Sequence, residues 1–175
     1  MYSSCIVANL TAERADVKNS ILRVGGIEVL LRVLQLCRRE DTAGDKTHFL
    51  KFDFLKVSFI LGNVVAEPLL RALRHLTSET RLSDPVNVEL RRRGGLELAA
   101  QMLQMWTAWP VVKAACDLVR NLVAWEDNQM VLVDLKVIPR LGQILALSVK
   151  EDSRARRVRS VIFLVSPAFH FISLD

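Results

Sequence analysis

The sequence predicts an all-α solenoid built from three-helix repeats, and three observations carry that prediction. A polar, amide-like side chain recurs inside an apolar helical stretch: VANLTAE at 7–13, ALRHLTS at 72–78 and VRNLVAW at 119–125. A second apolar helix follows each one, as VGGIEVLLRVL at 24–34, RGGLELAAQML at 93–103 and LKVIPRLGQIL at 135–145. The separations are nearly constant from Asn9 to Ile27, from His75 to Leu96 and from Asn121 to Ile138. The distance from Leu96 to Ile138 sets a period of roughly 42 residues, within the range of helical solenoid repeats. Such a period marks units that bury their apolar faces only against neighbouring units, and arrays of that kind present extended binding surfaces.

Taken in order, the chain enters in the middle of the third helix of a unit, the helix carrying Asn9. The two helices expected before it are missing, so the chain looks like a piece of a longer array. Gly25 and Gly26 end a short helix and let the backbone turn into the next, because glycine accepts angles that other residues resist. That second helix is expected to end near Cys37 to Arg39. A further helix opens at Glu67 and Pro68, where proline suits the first turn. Its Leu69, Leu70, Leu73 and Leu76 form the i, i+3, i+4, i+7 stripe of a buried face. Gly94 and Gly95 repeat the glycine corner. Pro110 opens the equivalent long helix, with Val111, Ala114, Ala115, Leu118 and Leu122 as its stripe. At the third corner Lys136 and Val137 replace the glycine pair, so the turn signal is weaker there.

Two segments break the pattern. All seven phenylalanines lie in them, Phe49, Phe52, Phe54 and Phe59 in one and Phe163, Phe169 and Phe171 in the other. His48 and His170 fall in the same places. The first segment stretches the distance from Ile27 to Leu96 beyond one and a half periods. The organisation read from this is a repeat segment at 4–44, an atypical Phe-rich insertion at 45–65, a second repeat segment at 66–157 and an atypical hydrophobic tail at 158–175. Either the two odd segments are genuine, the first as a hydrophobic loop that docks, or they stand outside the working protein, as when a gene is read through into non-coding sequence. The shared compositional break favours the second explanation.

Composition narrows the class. Apolar residues make up 51% of the chain, which fits a folded protein. A net charge of +5 and a pI near 9.4 favour acidic partners, though ordinary solubility charge explains them equally well. Cys5, Cys37 and Cys116 are odd in number, far apart and at no metal spacing. They read as reduced, buried core residues of an intracellular protein. The start, with polar Tyr2, Ser3 and Ser4, does not read as a signal peptide. The longest apolar runs, 57–65 and 161–174, are too short to span a bilayer, so no membrane insertion is expected.

GGIEVLLRVL, then REDT before the interruption and AEPLLRALRHLTS after it, then WPVVKAACDLVRNL and VIPRLGQIL resemble the later armadillo repeats of the β-catenin/plakoglobin family. Pro68 precedes His75 by about two helical turns and Pro110 precedes Asn121 by about three, and the family shows the same unequal pair. The resemblance covers about 4–44 and 66–157, three incomplete repeats, and joining Ala43 to Ala66 would restore an ordinary repeat length. It implies an armadillo-type α-solenoid, a right-handed superhelix of three-helix repeats whose third helices line a basic groove. It further implies a non-catalytic scaffold for extended acidic peptides, of cadherin-tail and Tcf-type transcription-factor kind, in adhesion and Wnt signalling. The locations implied are the cytoplasm, adherens junctions and nucleus.

Asn9, His75 and Asn121 fall on the family's groove position, where amide or imidazole groups hydrogen-bond a peptide backbone. The competing reading is that a polar residue late in a helix bonds a neighbouring carbonyl. Arg74 and Arg120 stand just before two of them and either flank the groove or sit on a solvated helix face. Glu79 follows RHLTS where the family tends to carry a basic residue, which repels an acidic ligand and favours a more distant armadillo scaffold. The importin-type variant places tryptophan four residues before the groove asparagine; Cys5, Arg71 and Asp117 stand there instead, arguing against nuclear-localisation peptides. The arginines at 91–93 and at 154–159 could also be read as nucleic-acid or import signals, the basis of a less favoured alternative, a basic nucleic-acid-binding helical protein; Arg91, Arg92 and Arg93 end a short helix, where cations complement the dipole, and that is the preferred reading of that run. Trp106, Trp109 and Trp125 read as packing anchors. No phosphate loop, nucleophile elbow or metal-binding pair stands in the sequence, so no catalytic residue, metal, cofactor or small-molecule substrate is expected.

Overall fold

A computed structural model describes residues 2–42, 62–78, 83–104 and 109–150. Among them are nine α-helices: α1 (Tyr2–Glu13), α2 (Ala15–Arg23), α3 (Gly26–Thr42), α4 (Glu67–Thr77), α5 (Ser83–Arg92), α6 (Gly95–Met102), α7 (Trp109–Val123), α8 (Glu126–Asp134) and α9 (Val137–Lys150). A π-helical turn, Gly62–Ala66, runs directly into α4. The expected three-helix unit is therefore present, as α2–α3–α4 and α5–α6–α7. The long third helices α1, α4 and α7 lie side by side, with α4 between the other two, while α3 and α6 pack behind them.

The stripes expected from periodicity are the core. Leu70, Leu73, Leu76, Val111, Ala115 and Leu122 have no exposed surface, and Leu69, Ala114 and Leu118 retain 4% or less. Each fully buried leucine of this kind contributes about 1.5–3 kcal/mol of transfer free energy, and α4 collects most of that because both its flanks are covered. Pro68 sits in the first turn of α4 as expected.

The three corners share one geometry. Gly25, Gly94 and Lys136 adopt φ of 71°, 72° and 59°, and each donates its N–H back to a carbonyl three residues earlier. Lys136 thus takes the left-handed conformation where the earlier units use glycine, at an expense of roughly 1–2 kcal/mol for an L residue. The second glycine of each pair serves closeness instead. A Cβ on Gly26 would stand 2.6 Å from Ile21 Cγ2 and 2.9 Å from the Ile21 carbonyl oxygen.

Three expectations need adjustment. Helix α3 runs on to Thr42 rather than stopping near Cys37 to Arg39, since nothing in REDT breaks a helix. Cys37 and Cys116 are buried as expected, but Cys5 is exposed. Only one edge of α1 (Ser4, Ala8 and Thr11) packs inward, against α4 and the π-helical turn, which leaves Cys5, Ile6 and Leu10 on the open side. The segment 45–65 is only partly described. Residues 62–65 belong to the π-helical turn, where Val65 packs on the core and the Val64 carbonyl accepts a hydrogen bond from Ser4 Oγ at 3.5 Å. Residues 43–61, all seven phenylalanines, Glu79, Trp106, the arginines at 154–159 and the 158–175 tail lie outside the described residues.

Candidate peptide-binding face

The predicted residues stand on the three adjacent third helices. Asn9 is exposed on α1, Arg74 and His75 are half-buried on α4, and Arg120 and Asn121 are half-buried on α7. Their partners differ. Asn9 Oδ1 accepts from Arg71 Nη2 at 3.4 Å. His75 Nε2 faces Arg74 Nη2 at 3.2 Å. A guanidinium can only donate, so Nε2 is the acceptor and the imidazole is neutral with its proton on Nδ1. Asn121 Nδ2 donates to the Arg74 carbonyl at 3.0 Å and to Thr77 Oγ1 at 3.3 Å, tying α7 to α4. That is the neighbouring-carbonyl bond of the competing reading, made across helices rather than within one.

Thr77 and Thr11, two residues beyond His75 and Asn9, turn their hydroxyls back to the carbonyls three and four residues earlier. Three contributors lie outside the pattern read from the sequence: Thr77, Arg71 and the buried Lys18 of α2. A signal exists for Arg71, which stands one helical turn before His75 and so shares its face of α4.

Electrostatics distinguish this face from the end of α5. Burial, then Arg74, Arg71 and Lys18, push the His75 imidazole down to about 4. By contrast, the arginine run at the end of α5 is neutralised within the protein. Arg91 pairs with Asp127 at 2.8 Å, Arg92 with Glu89 at 2.9 Å, and Arg93 with both Glu89 and Glu28. Hydrogen bonds from Arg92 and Arg93 hold the Glu89 carboxyl at about 2. Arg91 and Arg92 also occupy the last turn of α5, as the dipole argument expects. A cleft of about 230 Å³ lined by Glu28, Leu31, Arg32, Gln35 and Arg93 lies at this network, away from the third-helix row. Among the described residues no carboxylate pairs with Arg74 or Arg120, and no cluster of side chains could hold a metal ion. No helix of the described residues is long and apolar enough to cross a membrane. Trp109 packs against the core, and the Trp125 carbonyl accepts from the Asn128 N–H at the start of α8.

These shifts predict two acid transitions. An imidazole held neutral binds its proton more readily in the unfolded chain, so the stability that His75 contributes is complete above pH 6.5 and declines as pH falls toward 4. Glu89 contributes stability above its ordinary value near 4.5 that is lost as pH falls through 2. Melting temperatures followed against pH should therefore drop in both windows. His75→Gln should flatten the first and leave the second, and an unchanged first window in that variant would refute the assignment.

The stacked three-helix units of this all-helical fold are those of an armadillo-type α-solenoid. No family model matches the chain. Among known proteins, Catenin beta of Urechis caupo is 31% identical over 150 residues, covering 85% of this chain and 16% of that protein. Junction plakoglobin of Sus scrofa and of Homo sapiens are each 28% identical over 148 residues, covering 85% of this chain and 17% of theirs. Over most of its length the chain is similar to these β-catenin and plakoglobin relatives, and it spans about one sixth of their length.

Proposed function

We propose that this chain is a non-catalytic scaffold that holds an extended acidic peptide along α1, α4 and α7. Asn9, His75 and Asn121 meet the peptide backbone, and Arg74 and Arg120 meet its carboxylates. The observation that carries this reading is the contrast in charge: the arginines at the end of α5 are paired internally, while Arg74 and Arg120 have no carboxylate among the described residues. Unpaired cations beside amide donors suit an acidic strand better than a neutral one. From the likeness to Catenin beta and junction plakoglobin, the proposed partners are cadherin tails and Tcf-type transcription factors, in adhesion and Wnt signalling, at junctions, in the cytoplasm and in the nucleus. The working repeats are proposed to be 4–44 and 66–157, with 45–65 and 158–175 outside them; sequencing the mature transcript tests that boundary.

The binding test is titration of a labelled cadherin tail against the full chain. Arg120→Gln is the cleaner probe, because Asn121→Ala also removes the bonds to Arg74 and Thr77. Loss of one charge-assisted contact should weaken binding by about tenfold, His75→Ala should weaken it as well, and raising salt should weaken it further. Binding indifferent to both substitutions and to salt would sink the groove reading. A second reading, an armadillo scaffold that does not take cadherin or Tcf segments, is favoured by Asn121, whose amide is already engaged with α4. It predicts that other acidic peptides bind and the cadherin tail does not.

A further inference from the structure

One helical turn before Asn121 stands Asp117, on the same face of α7 and with no part in the proposed groove. Its side chain is 8% exposed, and its Oδ2 accepts from Lys113 Nζ at 2.6 Å, one further turn back. Helix α4 carries the same two positions with the charges exchanged: Glu67 stands where α7 has Lys113, and Arg71 where it has Asp117. That pair is looser, at 3.5 Å with the acidic side chain 23% exposed. The two helices are adjacent, so a strand laid across them meets opposite signs at one register position. Lys113 is 37% exposed, yet it is not at the disposal of an acidic ligand. A carboxylate and an ammonium at hydrogen-bond distance cancel most of each other's field beyond the pair. Drawing Lys113 away would strand the Asp117 charge inside the protein, which costs more than one solvent-exposed contact returns. Arg120, three residues beyond Asp117, has no such partner among the described residues.

We infer that Asp117 determines specificity on the binding face: it holds Lys113 back from the ligand, so that the part of an extended peptide crossing α7 one turn before Asn121 must carry an uncharged side chain. The inference rests on the groove reading and adds a rule of exclusion to it. A net charge of +5 attracts any acidic chain. A neutralised lysine within the face sorts among such chains, because a ligand glutamate placed over the pair loses water and gains no cation. A basic side chain fares no better there, since the Asp117 carboxylate is already engaged and enclosed. Asp117 is thus a positioning residue, acting through Lys113 rather than by touching the ligand.

The experiment uses the full chain and an acidic peptide that binds it in the titration above, with each uncharged residue of the peptide replaced in turn by glutamate. In Asp117→Asn, which keeps the shape and an acceptor for Lys113, glutamate at one position should tighten binding by about tenfold. The same replacement should weaken binding to wild type or leave it within about twofold. Adding Lys113→Gln to Asp117→Asn should abolish the gain, an outcome that a merely structural role for Asp117 does not produce. A measurement on wild type stands apart from the folding of either variant. Followed by NMR, the Lys113 ammonium should keep its shift when the unaltered peptide binds, while the Arg120 guanidinium moves. Lys113 moving as far as Arg120, the same positional profile in wild type and Asp117→Asn, or a gain that survives the loss of Lys113 would each overturn the inference and leave the groove reading standing. Failure of every peptide to bind would overturn both.

Discussion

Leu76→Ala is expected to lower the unfolding free energy by about 3 kcal/mol. Leu76 has no exposed surface and lies on α4, which α1 and α7 cover from both sides. A cavity there cannot collapse without moving a neighbouring helix of another unit, so the loss includes a void term as well as the transfer term. The repeat supplies its own control. Leu10 occupies the same place on α1, immediately after the polar residue of its helix, but it is 46% exposed. Leu10→Ala should cost less than about 1 kcal/mol. Urea denaturation measures both, with the midpoint shifting and the slope unchanged. Equal losses at the two positions would mean that α4 is not the covered centre of the array.

Asn128→Ala should destabilise the chain by about 2–3 kcal/mol, more than its size implies. The side chain is fully buried, and its Nδ2 donates to the Leu122 carbonyl at 3.0 Å and to Asn87 Oδ1 at 3.2 Å. One residue of α8 thus closes the end of α7 and reaches α5 at the start of the preceding unit. Removing it takes one donor from the Leu122 carbonyl, which keeps the Trp125 N–H at 3.2 Å, and one from the buried Asn87 side chain, and each lost buried hydrogen bond costs about 1 kcal/mol. Asn128 Oδ1 is itself buried with no hydrogen-bond partner among the described residues, which already subtracts from what the residue contributes. The same denaturation measurement decides the point. A loss below about 0.5 kcal/mol, the size of an ordinary surface substitution, would show that water replaces the lost bonds.

The fold was legible because its signals are local. The leucine stripe of α4 and the two glycine corners follow from helical period and backbone freedom, and both stand where the sequence puts them. Lys136 shows the limit of the glycine signal, since the left-handed corner survives without glycine when the helices on either side are held by packing. Cys5 departs from expectation because periodicity says that a helix has an apolar stripe and not how many neighbours cover it. The candidate residues stand at a repeated position, but their partners follow no repeat. Asn121 bonds a carbonyl 47 residues away, Arg71 meets an asparagine 62 residues away, and Asn87 finds Asn128 across 41. No short-range pattern encodes such pairings, which arise only when one unit is laid against the next.

The arginines closing α5 have a consequence for how the array comes apart. Arg93 reaches back to Glu28 on α3, and Arg91 reaches forward to Asp127 on α8. Each such pair, partly open to solvent, contributes little by itself. In a quasi-one-dimensional array, however, the coupling between neighbours decides whether units open singly or together. These ties join the helix ends of three successive units through one short corner. The ionic strength of the medium, by weakening them, sets the length of chain that unfolds in a single cooperative event.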